Sequence, residues 1–363
     1  MAHAHHMTME TAVVTIESLI AGGRGRATLD GLQVFVPWTA PQDHVRVAIH
    51  TRHKNYAEAH VVEMITPGPD RVTPRCPVFG ACGGCQWQHL SYDVQLTWKQ
   101  RILQEQLERI GKITAPLVRH TIAAPSPWQY RSRIHLQVDA TGHVGFYRAG
   151  THEVVEFDEC AIAAPELNAQ LATAKERLRS HGHGRTLRLD SDDGFSQVNV
   201  AQNIRLQQLV RDGVAAYGGG AIAELYCGRG NLTFPIAEVA QSVVAADDDA
   251  QAIDFARRCA SAQQIANVTF VCTSAARLLQ RVQHDHIEGV IVDPPRRGAA
   301  EVIDMLQALH PRWIGYVSCD PATLARDVRA LIAGGYRHVV SQPIDMFPQT
   351  FHIESLTWLE RSG

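Results

Sequence analysis

The cysteines are the residues of this sequence whose spacing points most directly to chemistry. Of eight cysteines, Cys76, Cys82 and Cys85 fall within ten positions in the pattern C-x5-C-x2-C, and Cys160 follows far downstream in the string FDEC. In a cytoplasmic chain such clustering favours metal ligation over disulfide bonds. Four thiolates of this kind can hold zinc or an iron–sulfur cluster, and the spacing alone leaves both open.

Cys319 stands apart from this set, in the string YVSCDPATLARD, where a strand gives way to a helix. A buried, inert cysteine is the commoner case. The strand-end position and the helix amides that follow favour instead a thiolate, which is nucleophilic toward electron-poor double bonds. Glu354 is flanked by apolar residues in HIESLTWLER, so burial would raise its pKa into the range that suits a general base.

The glycine-rich turn AELYCGRGNLTF predicts a nucleotide-cofactor site. Gly228 and Gly230 lie between a strand and a helix, where missing β-carbons let the backbone approach a ligand. The next strand, SVVAADDD, ends in acids about 20 residues downstream, and we assign Asp247 to ribose hydroxyls. A dinucleotide and S-adenosylmethionine both satisfy these features. Asp293, in VIVDPPRRG at the edge of a later strand, is either a ligand contact or a helix cap.

The elements that must position these residues fall into three regions. The first, up to residue 66, has short alternating strands and a DG turn, which predict a small closed β-barrel followed by a Pro/Gly-rich linker. The middle combines a helical period with antiparallel strands. In the last, short apolar strands alternate with helices, the pattern of a doubly wound α/β fold. The predicted domains are 9–67, 68–185 and 186–363, with a helix at 92–113 that packs on the third domain.

Composition and charge limit the class of protein. The 363 residues argue for two or three domains, and 45% hydrophobic residues can fill their cores. A net charge of −3 gives no bulk attraction to a polyanion, so RNA would need local basic clusters. No apolar run approaches the roughly 18 residues that span a bilayer and no leader is evident, so we expect a cytoplasmic monomer without membrane contact. The basic residues that could cluster beside Tyr130, Phe146 and Tyr147 are Arg71, Arg75, Lys99, Arg101, Arg109, Arg131, Arg133 and Arg148.

Six ordered strings of the sequence carry a family resemblance. They are CPVFGACGGCQWQHLSYDVQLTWKQ, YRSR…GFYRAG…VVEFDEC, YCGRGN, DPPRRG, YVSCDPATLARD and DMFPQTFHIES. Together they closely resemble the RNA uracil-C5 (5-methyluridine) methyltransferases, and the N-terminal strands resemble the RNA-binding TRAM domain. The resemblance implies a Rossmann-like methyltransferase domain with a doubly wound sheet, an N-terminal OB-like TRAM β-barrel and a central β-rich iron–sulfur domain.

The resemblance also implies a reaction. The thiolate of Cys319 would add to carbon 6 of uracil, so that carbon 5 becomes an enolate carbon able to attack the methyl group of S-adenosylmethionine. Glu354 would then remove the proton on carbon 5. Asp293 would hydrogen-bond the uracil or the cofactor, and Arg296 or Arg297 would position phosphate. The uridine must be flipped out first, because a stacked base exposes neither face.

The family pattern further implies the ligand sets. It assigns cofactor binding to Gln197, Tyr226, Gly228, Asn231, Asp247 and Asp293, and a 4Fe-4S cluster, with zinc as the alternative, to Cys76, Cys82, Cys85 and Cys160. The sequence departs from that pattern at two positions. Asp247 stands where glutamate is usual, and Asp320 stands where asparagine is common. A carboxylate next to Cys319 would raise the pKa of the thiol unless it is turned away or capped.

The implied partner is RNA, with ribosomal RNA favoured over transfer RNA by analogy, and no obligate protein partner is evident. Three alternatives differ in testable ways. A non-catalytic RNA-binding iron–sulfur protein with a decayed methyltransferase fold would bind without reacting. Amino-methylation of adenine or cytosine also uses a short acid-Pro-Pro loop but needs no covalent Cys319. A nicotinamide-dependent dehydrogenase is weakened because a full G-x-G-x-x-G is absent from the sequence.

Overall fold

The computed structural model describes residues 10–181, 186–191 and 197–362, so the predicted domain limits at residues 9, 185 and 363 lie outside the described residues. Contacts divide the described residues into two units. The first unit is drawn from Met1–Trp98, Ser126–Asn199 and Phe347–Phe351, and the second from Lys99–Pro125, Val200–Met346 and His352–Gly363. In the described part of the chain, no helix has the length and apolar character to cross a membrane.

The N-terminal part of the first unit is a curved β-sheet. Its strands lie in the order β1-β5-β6-β4-β3-β2, with β4 and β6 parallel. Alternate residues such as Val34 and Val36 are buried, and they join one apolar cluster to which β1, β3, β4, β5 and β6 all contribute, so the sheet must bend around its own core. The bounds are β1 Glu10–Thr15, β2 Ser18–Leu19, β3 Gly25–Leu29, β4 Leu32–Val36, β5 His44–Arg52 and β6 Tyr56–Thr66.

The rest of the first unit is a second, antiparallel sheet covered by a helix. The sheet order is β10-β7-β8-β9, and Leu167, Leu171 and Leu178 of the helix pack on Ile134 and Leu136 of the central strand. The predicted helix at 92–113 is shorter than expected, and its residues from Lys99 onward belong to the second unit. The bounds are α1 Tyr92–Arg109, β7 Arg133–Val138, β8 Val144–Tyr147, β9 Val154–Glu156, α2 Pro165–His181 and β10 Thr186–Asp190.

The segment Phe347–Phe351 belongs to the first unit although its flanking residues belong to the second. Gln349 is buried, with a left-handed backbone at φ +67°. Its side-chain Oε1 accepts from Gln95 Nε2 at 3.0 Å, its backbone N–H donates to Gln95 Oε1 at 2.9 Å, and its carbonyl accepts from Trp87 N at 3.0 Å. These bonds anchor the segment within the first unit.

The second unit is the predicted doubly wound α/β sheet. Its order is β13-β12-β11-β14-β15-β17-β16, in which β11 to β15 run parallel and β17 runs antiparallel to β15 and β16. β14 and β15 are buried along their whole length, as expected for strands covered on both faces. The bounds are α3 Val200–Ala216, β11 Ala221–Leu225, α4 Thr233–Ala237, β12 Ser242–Asp247, α5 Ala250–Ala262, β13 Val268–Cys272, α6 Ala275–Arg281, β14 Gly289–Val292, α7 Ile303–Leu309, β15 Trp313–Ser318, α8 Pro321–Ala333, β16 Tyr336–Ile344 and β17 Glu354–Arg361.

Candidate active site and thiol cavity

The two predicted catalytic residues, Cys319 and Glu354, meet the predicted ligand contact Asp293 at one edge of the second unit's sheet. Asp293 follows β14, Cys319 follows β15, and both strands end at the carboxyl edge where ligands collect in α/β folds. β17 begins at this edge, because it pairs antiparallel with β15 and Ser318 lies opposite Ser355. Cys319 and Glu354 each adjoin this last pair, and they are close enough for Glu354 to act electrostatically on the thiol. The sheet thus assembles a thiol and two carboxyl groups.

The charges at this edge act on one another. Burial raises the pKa of Cys319 to about 11, with Glu354 and Asp293 adding to the rise and Arg296 opposing it. Burial, together with Asp293, raises the pKa of Glu354 to about 8, and Arg296 again opposes. Burial raises the pKa of Asp293 to about 6. The free protein therefore holds Cys319 as a thiol at neutral pH, so burial and the carboxyl groups outweigh the helix amides that the sequence led us to expect.

Asp320, the departure next to the nucleophile, is a helix cap. Its Oδ1 accepts from Ala322 N at 3.0 Å and from Thr323 N at 2.9 Å, at the start of α8. The backbone before it is fixed as well, because Asp320 N donates to Ser318 Oγ at 3.1 Å. The Asp320 carboxylate is thus capped by these amides. This is one of the two conditions under which we expected it not to raise the pKa of the Cys319 thiol.

The glycine turn is tied to Asp247. Gly228 N donates to Asp247 Oδ2 at 2.9 Å, and Asp249 N donates to Oδ1 at 3.0 Å. Tyr226 and Gly230 adopt left-handed backbones with φ of +63° and +86°, which lets the chain turn sharply after β11. Asp247 therefore connects the turn to the end of β12 and keeps free lone pairs for a ligand.

A pocket beside Asp247 contains the predicted Tyr226 together with Ser274 and Glu301, which the sequence analysis missed. Tyr226 donates its hydroxyl to Glu301 Oε1 at 2.8 Å, and Ser274 caps α6 by accepting from Arg277 N. The sequence contains a signal that could have identified Ser274. Ser274 follows β13 at the carboxyl edge of the sheet, just as Asp247 ends the neighbouring strand β12. The pocket is lined by Tyr226, Ala246, Asp247, Asp248, Ser274, Ala275, Ala276, Arg297 and Glu301.

Asn231 and Gln197 have observed contacts other than a ligand. Asn231 Oδ1 accepts from Asn203 Nδ2 at 2.9 Å and from Gln207 Nε2 at 3.0 Å, which ties the glycine turn to α3. Gln197 belongs to the first unit, where its carbonyl accepts from Ser132 Oγ at 3.1 Å. A cofactor role for Asn231 or Gln197 stays a prediction.

Glu224 is a buried carboxyl group that the sequence analysis did not single out. It lies within β11, is 1% exposed, and faces the same cluster of acids as Asp293 and Asp247. Burial raises its pKa to about 8, with Asp293 and Asp247 adding to the rise. Protonated Glu224 is therefore the favoured form at neutral pH, and a cation placed near these acids would favour the ionised form.

The four predicted metal ligands share one cavity of the first unit. Cys76, Cys82, Cys85 and Cys160 line it together with Arg131. Burial raises the pKa of Cys85 to about 12, and the thiols of Cys160 and Cys82 add to the rise. Four thiols make the donor set of a zinc or iron–sulfur site. Among the described residues, no three or more His, Cys, Asp or Glu side chains form a group suited to a metal ion.

A cleft of the first unit gathers several of the basic residues singled out in the sequence. Arg131, Arg133 and Arg148 line it with Phe146 and Tyr147. Arg133 pairs with an acid on β10, and Arg148 pairs with one in the turn after β8, so their charges are partly balanced within the protein. The cleft retains cationic groups beside aromatic rings, a combination suited to unpaired nucleotides.

Lys99 lies elsewhere than predicted. It was placed among the basic residues of an RNA-facing surface, but it is fully buried in the second unit, with its Nζ 2.5 Å from Asp345 Oδ1. Burial lowers the pKa of Lys99 and Asp345 raises it. Because an unpaired ammonium in the core is costly, the partner explains how a lysine can be buried there.

Comparisons with known proteins agree on one family. Residues 173–362, just over half of the chain, match the family described as tRNA (Uracil-5-)-methyltransferase. A Halalkalibacterium halodurans protein described as an uncharacterized RNA methyltransferase is 32% identical over 96% of this chain and 96% of its own. An Aquifex aeolicus protein with the same description is 32% identical over 96% of this chain and 98% of its own.

A solved structure shares the fold. The crystal structure of Pyrococcus abyssi tRNA (uracil-54, C5)-methyltransferase in complex with S-adenosyl-L-homocysteine has a TM-score of 0.71 to this chain, covering 96% of this chain and 100% of its own. The sequence identity is 23%, so the likeness concerns the architecture.

Proposed function

Because the chain belongs to the tRNA (uracil-5-)-methyltransferase family, we propose that it methylates carbon 5 of a uridine in RNA, with S-adenosylmethionine as the methyl donor. The observation that carries the proposal is the meeting of Cys319, Glu354 and Asp293 at one edge of the sheet, with Arg296 acting on the first two. A thiol, a base and a cation at one place are the groups that this chemistry requires.

The chain's own residues would act in a fixed order. The Sγ of Cys319, after its proton has passed to solvent, bonds to carbon 6 of the flipped-out uracil, and the ring electrons move toward carbon 5 and the carbonyl oxygen at carbon 4. S-adenosylmethionine would supply an electrophilic methyl group, which carbon 5 takes as the bond from the methyl to the sulfonium sulfur breaks and S-adenosylhomocysteine leaves. Glu354 takes the proton from carbon 5, the bond between Sγ and carbon 6 breaks, and the ring double bond returns. Arg296 would stabilise the thiolate of Cys319 before it attacks and the carboxylate of Glu354 before it takes the proton.

The methyl donor is assigned to the pocket beside Asp247. Asp247 would bind the ribose hydroxyls, and the backbone at Gly228 would let the donor approach closely. Tyr226, Asn231 and Asp293 complete the proposed set within the second unit. The neighbouring buried carboxyl group of Glu224 supports a ligand with positive charge, because such a ligand would offset the cost of burying these acids.

For the first unit we propose a 4Fe-4S cluster on Cys76, Cys82, Cys85 and Cys160, with zinc as the alternative. The shared cavity and the all-thiol donor set support a metal group there. The group would tie the loop of residues 76–85 to the second sheet. Iron and zinc analysis of anaerobically purified protein, with the visible absorption spectrum, distinguishes the two metals.

Ribosomal RNA is the favoured substrate class, because members of the family with a cysteine set and an N-terminal barrel often act there. Transfer RNA is the second class to test, since it is named in the family description and in the Pyrococcus abyssi relative. The curved sheet of β1–β6 would serve as a TRAM-like RNA-binding barrel in either case.

The test is trapping with RNA that contains 5-fluorouridine. Fluorine at carbon 5 cannot leave as a proton, so a Cys319 adduct persists on denaturing gels. We expect an adduct with the wild-type protein that requires S-adenosylmethionine, none with Cys319→Ala, and a normal adduct with the control Cys259→Ala. Absence of any adduct would support the non-catalytic alternative, and methyl transfer by Cys319→Ala would support amino-methylation.

A further inference from the structure

The loop of residues 293–299 carries Asp293 and Arg296, and helix α8 holds it through three side chains. Thr323 Oγ1 donates to Arg296 O at 3.2 Å, and Arg326 Nη2 donates to Arg297 O at 2.8 Å. Asp327 Oδ2 accepts from Ala299 N at 2.8 Å. Residues 323, 326 and 327 have the i, i+3, i+4 spacing of one helix face, so this face of α8 is dedicated to the loop.

The same helix fixes the nucleophile. α8 starts directly after Cys319, and its cap Asp320 binds the first amides of the helix. Asp327 also accepts from Tyr316 Oη at 2.8 Å, and Tyr316 lies on β15, the strand that ends next to Cys319. One buried carboxylate therefore joins the nucleophile's strand, its helix and the 293–299 loop.

Two further features show that the 293–299 loop packs tightly against α8. Asp327 is 1% exposed, and Arg326 Nε donates to its Oδ1 at 2.8 Å, so the buried charge is paired and hydrogen-bonded. Gly298 has φ of +80°, and a Cβ there would lie 2.5 Å from both Arg326 Nη2 and Asp327 Oδ2. The loop approaches the helix so closely that a side chain at position 298 is excluded.

We propose that Asp327, together with Arg326, is a positioning residue that holds the 293–299 loop in place and so keeps Arg296 beside Cys319. It deepens the proposed function, since it rests on Cys319 as the nucleophile. The charged groups that act on Cys319 are Glu354 and Asp293, which disfavour its thiolate, and Arg296, which favours it. The contacts with α8 hold residues 296, 297 and 299, whereas Asp293 directly follows β14 and its N–H donates to Leu225 O. Release of residues 296–299 would therefore withdraw the cation while Asp293 and Glu354 stay on the sheet.

The test measures the reactivity of Cys319 toward iodoacetamide in the free protein, followed by mass spectrometry of its peptide from pH 7 to pH 10. It needs no RNA and no methyl donor, so it stands apart from the test of the proposed function. We expect Asp327→Asn and Gly298→Ala to slow alkylation at pH 8 by about tenfold, since loss of an opposite charge shifts a pKa by at least about one unit. Arg326→Ala, at a half-exposed position, should act in the same direction.

Arg329→Ala is the matched control, because Arg329 is an exposed arginine on the same helix. Cys319 should be alkylated at the same rate in Arg329→Ala as in the wild type. A merely structural role for Asp327 predicts the opposite sign: local unfolding would expose Cys319, relieve its burial and speed alkylation. Equal or faster alkylation in Asp327→Asn and Arg326→Ala overturns the proposal. If alkylation slows but no 5-fluorouridine adduct forms in the wild type, the positioning stands and the proposed function fails.

Discussion

The thiols of the two units have different surroundings. In the first unit Cys76, Cys82, Cys85 and Cys160 line one cavity, and neighbouring thiols add to the raised pKa of Cys82 and Cys85. In the second unit Cys319 has carboxyl groups and a guanidinium as neighbours, at the open edge of a sheet. We therefore propose two chemical uses for residues of one type: the thiols that line one cavity would share a metal group, and the thiol beside acids and a cation would lose its proton and attack.

Removal of one cysteine from each of the two environments is expected to have the largest effects on metal content and on adduct formation. Cys85→Ser should abolish metal binding and destabilise the first unit by about 3 kcal/mol or more, because metal binding energy contributes to folding. Cys319→Ser should leave the metal content unchanged and abolish the 5-fluorouridine adduct. Metal analysis and thermal denaturation of both variants measure the contrast. Loss of metal from Cys319→Ser would contradict the separation of the two thiol environments.

Glu354→Gln should stop the reaction after Cys319 has bonded to the uracil ring. Removal of the base leaves the proton on carbon 5, so we expect turnover to fall by about 10²–10⁴ and the covalent adduct to accumulate with ordinary uridine RNA. Rapid-quench assays and denaturing gels measure both. Glu288→Gln, at the opposite end of β14, is the control. Turnover of Glu354→Gln at the wild-type rate would exclude the proposed base.

The buried acids of the second unit should give its stability a distinctive pH dependence. The pKa of Glu224 is raised from 4.5 to about 8, so the folded state binds more protons than the unfolded state between these values. The free energy of unfolding should therefore fall as pH rises through this window. Glu224→Gln cannot ionise, so we expect it to be more stable than the wild type by about 1–3 kcal/mol at pH 9.

At pH 4 the wild type and Glu224→Gln should be nearly equal in stability, because Glu224 is protonated in both states. Urea denaturation at both pH values makes the comparison, with the exposed Asp285→Asn as control. An equal gain at pH 4 and pH 9 would attribute the effect to packing and contradict the raised pKa.

The sequence predicted the parallel part of the second unit's sheet because apolar runs alternate with helices there. Asp247, Asp293 and Cys319 each follow such a run, so their common edge could be inferred. The position of Glu354 could be inferred only from the resemblance, since no local pattern reveals that β17 pairs between β15 and β16.

Other features depend on partners that are distant in the chain. Lys99 looked like a surface charge because its partner Asp345 lies 246 positions away. Asn231 is predicted to contact the cofactor, and no local pattern indicates that its amide also binds Asn203 and Gln207 of a helix that precedes it. The string DMFPQT gave no sign that Gln349 packs in the first unit, since its hydrogen bonds go to Trp87 and Gln95. Helical and strand periods describe neighbours within an element, and these contacts lie between elements.

The order β15-β17-β16 has a consequence for biosynthesis. β17 is made after β16 but must enter between it and β15. During translation, β15 therefore has an unpaired edge until residues 354–361 have been synthesised, and unpaired strand edges are prone to aggregation. Insertion of β17 closes that edge and brings Glu354 to the end of the sheet that carries Cys319, so a nascent chain cannot complete the proposed turnover until its sheet is formed.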